Sequence, residues 1–153
     1  MRKLIISALA LSFAILVTVS CSKKSDTPAN IVSKNNIPLS GAQEVPANAS
    51  TATGSADVSY DKNTKILTYT LRWSGLTTAA SAMHFHGPVA RGVNASVLQG
   101  ITGFTSGVAG SMSGTVIIDG VFLKEDDLLA GRWYLNIHNS TFPGGEIRGQ
   151  IEF

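Results

Sequence analysis

The sequence predicts an all-β domain: an antiparallel β-sandwich or Greek-key barrel of about eight strands, with one short helical turn near residues 124–130. Three observations lead there. Fifteen glycines stand against three methionines, with Thr, Ser and Val plentiful; β-branched residues suit a pleated surface and Gly permits the positive φ of tight turns. Apolar and polar residues alternate with period two in short runs, as they do where one face of a sheet is buried. Turn signals separate those runs at the spacing typical of sandwiches and barrels. A composition of 44% hydrophobic and 14% charged residues is that of a packed domain, not a disordered chain.

Taken in chain order, Arg2 and Lys3 precede an apolar stretch from Leu4 to Val19, followed by Thr18-Val19-Ser20-Cys21. Basic residues that stay cytoplasmic, an apolar helix too short for a permanent span, and small residues before the cleavage point describe a signal peptide over residues 1–20. Its lipobox-like end makes Cys21 the expected lipidation site, although Thr18 stands where such sites usually carry Leu. Residues 21–36 are small, polar and Pro-containing, and are expected to be a flexible tether. The domain is expected over residues 37–153, with strands at 37–44, 54–60, 65–73, 81–86, 96–101, 113–119, 132–138 and 146–152. Asp61-Lys62-Asn63-Thr64 reads as a hairpin turn. In the strand that follows, Leu67, Tyr69, Leu71 and Trp73 alternate with Thr68, Thr70 and Arg72, and the first set should be core. Lys124 to Gly131 carries acids early, apolar residues late and a terminal Gly, as a single helical turn does.

Several function classes fall away. Without Arg2 and Lys3, ten basic residues face ten acidic ones; no basic excess remains to displace phosphate counterions, so no nucleic-acid partner is expected. A single cysteine forms no internal disulfide. No Gly-x-Ser-x-Gly or phosphate-binding loop is present, and Cys21 lies outside the domain, so no catalytic residue is expected. Glu146, Arg148 and Glu152 read as cross-strand ion pairing on a solvent face.

All three histidines fall in two short stretches, Met83-His84-Phe85-His86-Gly87-Pro88 and Asn136-Ile137-His138-Asn139. On a strand His84 and His86 share a face about 7 Å apart, with Met83 and Phe85 on the other. Tyr134, Asn136 and His138 share a face of their own strand, so His138 joins the pair if the two strands are neighbours. Three imidazoles suit zinc or copper; histidines on a sheet equally serve as hydrogen-bonded scaffold.

Leu39-Ser40-Gly41-Ala42-Gln43-Glu44-Val45-Pro46, His84-Phe85-His86-Gly87-Pro88, Tyr134-Leu135-Asn136-Ile137-His138 and Pro143-Gly144-Gly145-Glu146-Ile147-Arg148-Gly149-Gln150-Ile151 occur in that order across residues 37–153. Together they resemble the CHRD family, named for repeats in chordin, an extracellular antagonist of bone-morphogenetic-protein signalling, and found singly in exported bacterial proteins. The resemblance implies an extracytoplasmic β domain with no established enzymatic activity, and places His84, His86, His138 and Glu146 in signature motifs. The histidine pattern is also similar to that of copper-zinc superoxide dismutase, whose further histidines, zinc-ligand aspartate and disulfide cysteines are missing here. The expectation is therefore a lipid-anchored protein of the cell envelope, at the outer membrane, serving as a non-enzymatic binding or structural module for a protein or small ligand. The alternative is a zinc- or copper-binding or redox-related protein using His84, His86 and His138.

Overall fold

The computed structural model describes residues 30–153; the expected signal peptide, Cys21 and most of the expected tether lie outside them. The strands are β1 (Ile31–Ser40), β2 (Thr53–Asp61), β3 (Ile66–Ser74), β4 (Ala80–His86), β5 (Val97–Ile101), β6 (Gly110–Ile117), β7 (Trp133–Asn139) and β8 (Ile147–Ile151). A 3-10 turn at Gly41–Gln43 follows β1, and a short helix α1 (Glu125–Leu129) precedes β7. All pairings are antiparallel, in the order β5-β4-β7-β8-β1-β2-β3-β6. This one sheet curls until its two halves face each other: Tyr69 on β3 meets Phe85 on β4 edge-on, with ring centroids 5.1 Å apart. Among the described residues no helix is long and apolar enough to cross a membrane.

The period-two pattern sets the core. Leu67, Leu71, Phe85, Leu135 and Ile137 are fully enclosed, and Trp73 and Trp133 lie among them. The Asp61–Thr64 hairpin forms as expected: Asp61 pairs with Ile66, and Asp61 Oδ1 accepts the Asn63 N–H at 2.8 Å. In α1 Leu128 is buried, and Gly131, at φ 72°, ends the turn. Replacing Leu71 with Ala should lower stability by about 3 kcal/mol, because the removed side chain leaves a cavity between the two halves of the sheet. Urea unfolding measures this, and a loss below about 0.5 kcal/mol would place Leu71 outside the core.

The sheet differs from expectation at its start. β1 begins at Ile31, inside the stretch assigned to the tether, and ends at Ser40, before the expected residue 44. Ser33, Lys34, Asn35 and Asn36 are exposed and show no alternation, so hydrophobic periodicity is silent about them. Backbone pairing to β2 holds them instead, through Ile31↔Asp61 to Lys34↔Val58, before an irregularity at Lys34/Ile37. There Asn36 adopts φ 55° and gives its N–H to Asp57 Oδ1. β6 likewise runs from Gly110 to Ile117, not 113–119.

Candidate functional site

The face of β7 and β8 that turns away from the core is polar in sequence yet closed from solvent, with half-buried His84 of β4 at its border. Every residue of β7 and β8 is buried. The expectation of a solvent-side ion-pair face at Glu146 and Arg148 is overturned. The cover is the connection between β4 and β5, an irregular segment whose backbone carbonyls need donors. The sheet's polar side chains supply them: Gln150 Nε2 donates to Val89 O, Arg148 Nη2 to Val93 O and His86 Nδ1 to Ala95 O, at 3.1, 2.9 and 3.0 Å. Arg148 lies over the Tyr134 ring, 3.4 Å from its centroid, and His86 stacks on Tyr134 with ring centroids 4.7 Å apart.

Glu146 does not pair with Arg148. Its buried carboxylate accepts hydrogen bonds from Ser50 Oγ (2.6 Å), Thr77 N (2.9 Å), Thr77 Oγ1 (2.7 Å) and the Asn139 side-chain amide. Burial alone would raise its pKa, but these donors outweigh it and hold the carboxyl below its ordinary value. Glu152, the third member of the expected cluster, pairs instead with Arg91 on the surface.

The histidines do converge. β4 pairs with β7 in a register that places His84 beside Asn136, so His84, His86 and His138 meet on one face, while Met83 and Phe85 enter the core. Their candidate ligand atoms all lie within 4.8 Å of one another. Backbone carbonyls fix two of the tautomers. A carbonyl can only accept, so the His86 nitrogen 3.0 Å from Ala95 O and the His138 nitrogen 2.9 Å from Pro143 O, both Nδ1, carry the protons. Each ring's Nε2 is left unprotonated. That of His86 is buried without a hydrogen-bond partner; that of His138 accepts from His84 Nδ1 at 3.0 Å and lies 2.8 Å from Asn136 Oδ1, an oxygen that offers it no proton until the amide is turned to present its nitrogen. Burial pushes all three histidines below their ordinary pKa, His84 further by the charge of His86, so they are neutral at pH 7.

Beside this cluster Glu44 is buried, and its Oε1 has no hydrogen-bond partner. It lines a cavity of about 240 Å³ together with Pro46, Phe142, Pro143 and Gly145. Gly145, at φ 125°, is required here, since a Cβ at that position would collide with the Glu44 carboxylate and come within 2.9 Å of the Asn136 amide. Burial raises the Glu44 pKa to about 7, against the opposing pull of Arg148. Between its unfolded value of 4.5 and about 7 the folded chain keeps a proton that the unfolded chain releases, so this contribution to stability is lost as pH rises. Glu44→Gln should therefore stabilise the domain by about 2–3 kcal/mol at pH 8 and leave it unchanged at pH 4, as read from denaturant midpoints. An equal effect at both pH values would contradict the assignment.

The sequence brings the three histidines together on condition that β4 and β7 are neighbours, which they are, but it reads Arg148 as a surface ion-pair partner and gives Glu44 and Tyr134 no role in the site. The available signal was the run Trp133 to Asn139, where polar residues alternate with apolar ones beneath a long irregular connection.

The fold and this face define an antiparallel β domain with a buried, histidine-bearing polar layer on its outer side. The chain belongs to the CHRD domain family, whose model matches residues 36–151. Neither the search of curated proteins nor that of solved structures returned a match.

Proposed function

We propose that this CHRD protein is a non-enzymatic metal-binding module of the cell envelope, anchored to a membrane through an acylated Cys21, with its domain outside the cytoplasm. A transition-metal ion, zinc or copper, is held by His84, His86 and His138. The observation that carries the metal reading is the pair of Nδ1–H bonds to Ala95 O and Pro143 O. Metal-binding imidazoles are held in this way, with one nitrogen bonded to a protein acceptor and the other aimed at the ion. Nitrogens about 2.0–2.1 Å from a tetrahedral ion lie about 3.4 Å apart. The 3.0 Å separation of His84 Nδ1 and His138 Nε2 and the 4.8 Å limit on the whole set are within small ring rotations of that geometry. His84 is the ring with freedom to adapt: its Nδ1–H donates to His138 Nε2, and a change of tautomer turns that nitrogen into a ligand.

Titration of the untagged protein with zinc and with copper tests this reading. One ion per chain is expected, with a higher melting temperature that corresponds to about 2.7 kcal/mol at a hundredfold excess over Kd. Because the histidines titrate below 6.5, affinity should hold at pH 6.5 and fall only in more acid solution. Absence of any shift with zinc, copper(II) or copper(I) would sink it. The anchor is tested separately. The mature protein should begin at Cys21, carry acyl mass and partition into detergent, whereas Cys21→Ala should be released or misprocessed. Membrane retention of Cys21→Ala with unchanged mass would contradict lipidation.

A further inference from the structure

The three most exposed large apolar side chains among the described residues are Phe122 (80% exposed), Ile117 (69%) and Val121 (66%), all within the six residues from Ile117, the last of β6, to Phe122, ahead of α1. Ile117 closes the strand, and Val121 and Phe122 stand on a braced loop that follows it. Asp119 Oδ1 accepts the N–H groups of Val121, Phe122 and Leu123 at 2.8–2.9 Å, Gly120 turns the chain at φ 75°, and its N–H donates to Leu123 O. Leu123 is buried in the core while Phe122 is held out from it.

The register places this loop at one end of the domain. Ile31 pairs with Asp61, Asp61 with Ile66, and Ile66 with Ile117, so these residues form one row across β1, β2, β3 and β6. Ile31 is also where the chain enters the sheet. The site occupies another row, His84–Asn136–Arg148–Ser40. Ser40 is nine residues along β1 from Ile31, about 30 Å at the rise of a strand.

The geometry points to Ile117, Val121 and Phe122 as a membrane-inserting finger that seats this end of the domain on the bilayer bearing the Cys21 lipid, with the histidine face held away from it. This rests on the lipid-anchor reading above. Cys21 lies nine residues before Asn30, a reach of about 30 Å at full extension. A tether of that length brings the Ile31 end to the lipid surface without strain, and would have to run back along the whole domain to seat the opposite end. Charge does not attract this end to anionic lipid: Lys62, Lys65, Lys124 and Arg132 are outnumbered by Asp61, Asp119, Glu125, Asp126 and Asp127, with Lys65 paired to Glu125 and Arg132 to Asp127. The contact is apolar, and the acyl chains supply affinity while the finger supplies orientation.

With Cys21 acylated, a new cysteine is the single free thiol, so Val121→Cys and, at the opposite end, Thr53→Cys can each carry an environment-sensitive fluorophore. The acylated protein, its Cys21 modification checked by mass, is reconstituted into phosphatidylcholine vesicles with or without phosphatidylglycerol. The probe at 121 should emit to the blue and be quenched by lipids labelled near the headgroup, equally in both compositions, while the probe at 53 should behave as it does in water. A water-exposed probe at 121 in acylated, vesicle-bound protein overturns the finger and leaves the anchor standing. Quenching that appears only with phosphatidylglycerol also overturns it in favour of electrostatic adsorption, and blue emission that lipid labels do not quench assigns the patch to a second copy of the chain. Should Cys21 prove unmodified, the anchor fails by itself. The finger is then read from full-length Cys21→Ala protein, whose partition into phosphatidylcholine vesicles should fall about tenfold or more when Val121 and Phe122 are both changed to Ser; an unchanged partition overturns it.

Discussion

Glu146→Ala is expected to lower the stability of the domain by about 4 kcal/mol or more, because it strips four donors of their shared acceptor in a closed site. Thr77 N–H, Thr77 Oγ, Ser50 Oγ and the Asn139 amide all converge on this carboxylate, and they belong to the connection before β2, the connection between β3 and β4, and the end of β7. Loss of the acceptor therefore loosens three segments at once. The carboxyl is held below its ordinary pKa of 4.5, so its contribution is complete above that value and disappears as pH falls through the lower, folded one. Glu146→Gln keeps one acceptor oxygen; it should lose less stability than Glu146→Ala and should shed that part of the acid sensitivity. Urea midpoints at pH 7 and pH 3.5 measure both effects. A loss below about 1 kcal/mol for Glu146→Ala would mean that these hydrogen bonds are replaced by water without consequence.

His86→Ala and His138→Ala are each expected to weaken zinc or copper binding by about 100-fold or more, since each removes an Nε2 lone pair whose ring is already oriented by a backbone carbonyl. His84→Ala should weaken binding as well, but less, because in the metal-free protein His84 is the ring whose nitrogen is not committed to the backbone. Asn136→Ala is the informative companion: its amide lies 2.8 Å from His138 Nε2 without supplying a ligand and, turned to present its nitrogen, holds that ring in place, so about a 10-fold loss is expected. Competition against a chelator of known affinity ranks the four variants. Equal and negligible effects would reduce the cluster to scaffold.

The strand framework was legible because the core side of the sheet writes itself into the chain with period two. Leu67, Tyr69, Leu71 and Trp73 on β3, and Trp133, Leu135 and Ile137 on β7, all face the core. The first half of β1 was not legible, because Ser33 to Asn36 bury nothing: Ser33 and Lys34 are held by ladder pairing that any side chain permits, and Asn36 by its N–H to Asp57 Oδ1 in the irregularity that follows. The convergence of His84, His86 and His138 could be anticipated on condition that β4 and β7 were neighbours, a matter of sheet order that alternation leaves open. Arg148 and Glu146 were misread for one physical reason. A polar side chain on the outer face of a strand looks exposed until an irregular segment folds over it, and neither the β4–β5 connection over Arg148 nor the segments that bring Ser50 and Thr77 to Glu146 have a periodicity to announce where they lie. Glu44 was hidden likewise, since its carboxylate packs into space that only the missing Cβ of Gly145 leaves open.

Two imidazoles are set, before any ion arrives, with Nδ1 protonated and Nε2 unprotonated. Long-range proton–nitrogen correlation spectra of uniformly nitrogen-15-labelled protein at pH 7.5 observe this state directly. His86 and His138 should each show a protonated Nδ1 and an unprotonated Nε2, and one equivalent of zinc should move both Nε2 resonances together with His84 Nδ1, leaving the protonated Nδ1 atoms of His86 and His138 in place. Protonated Nε2 atoms on His86 and His138, or three rings whose resonances ignore zinc, would contradict the account.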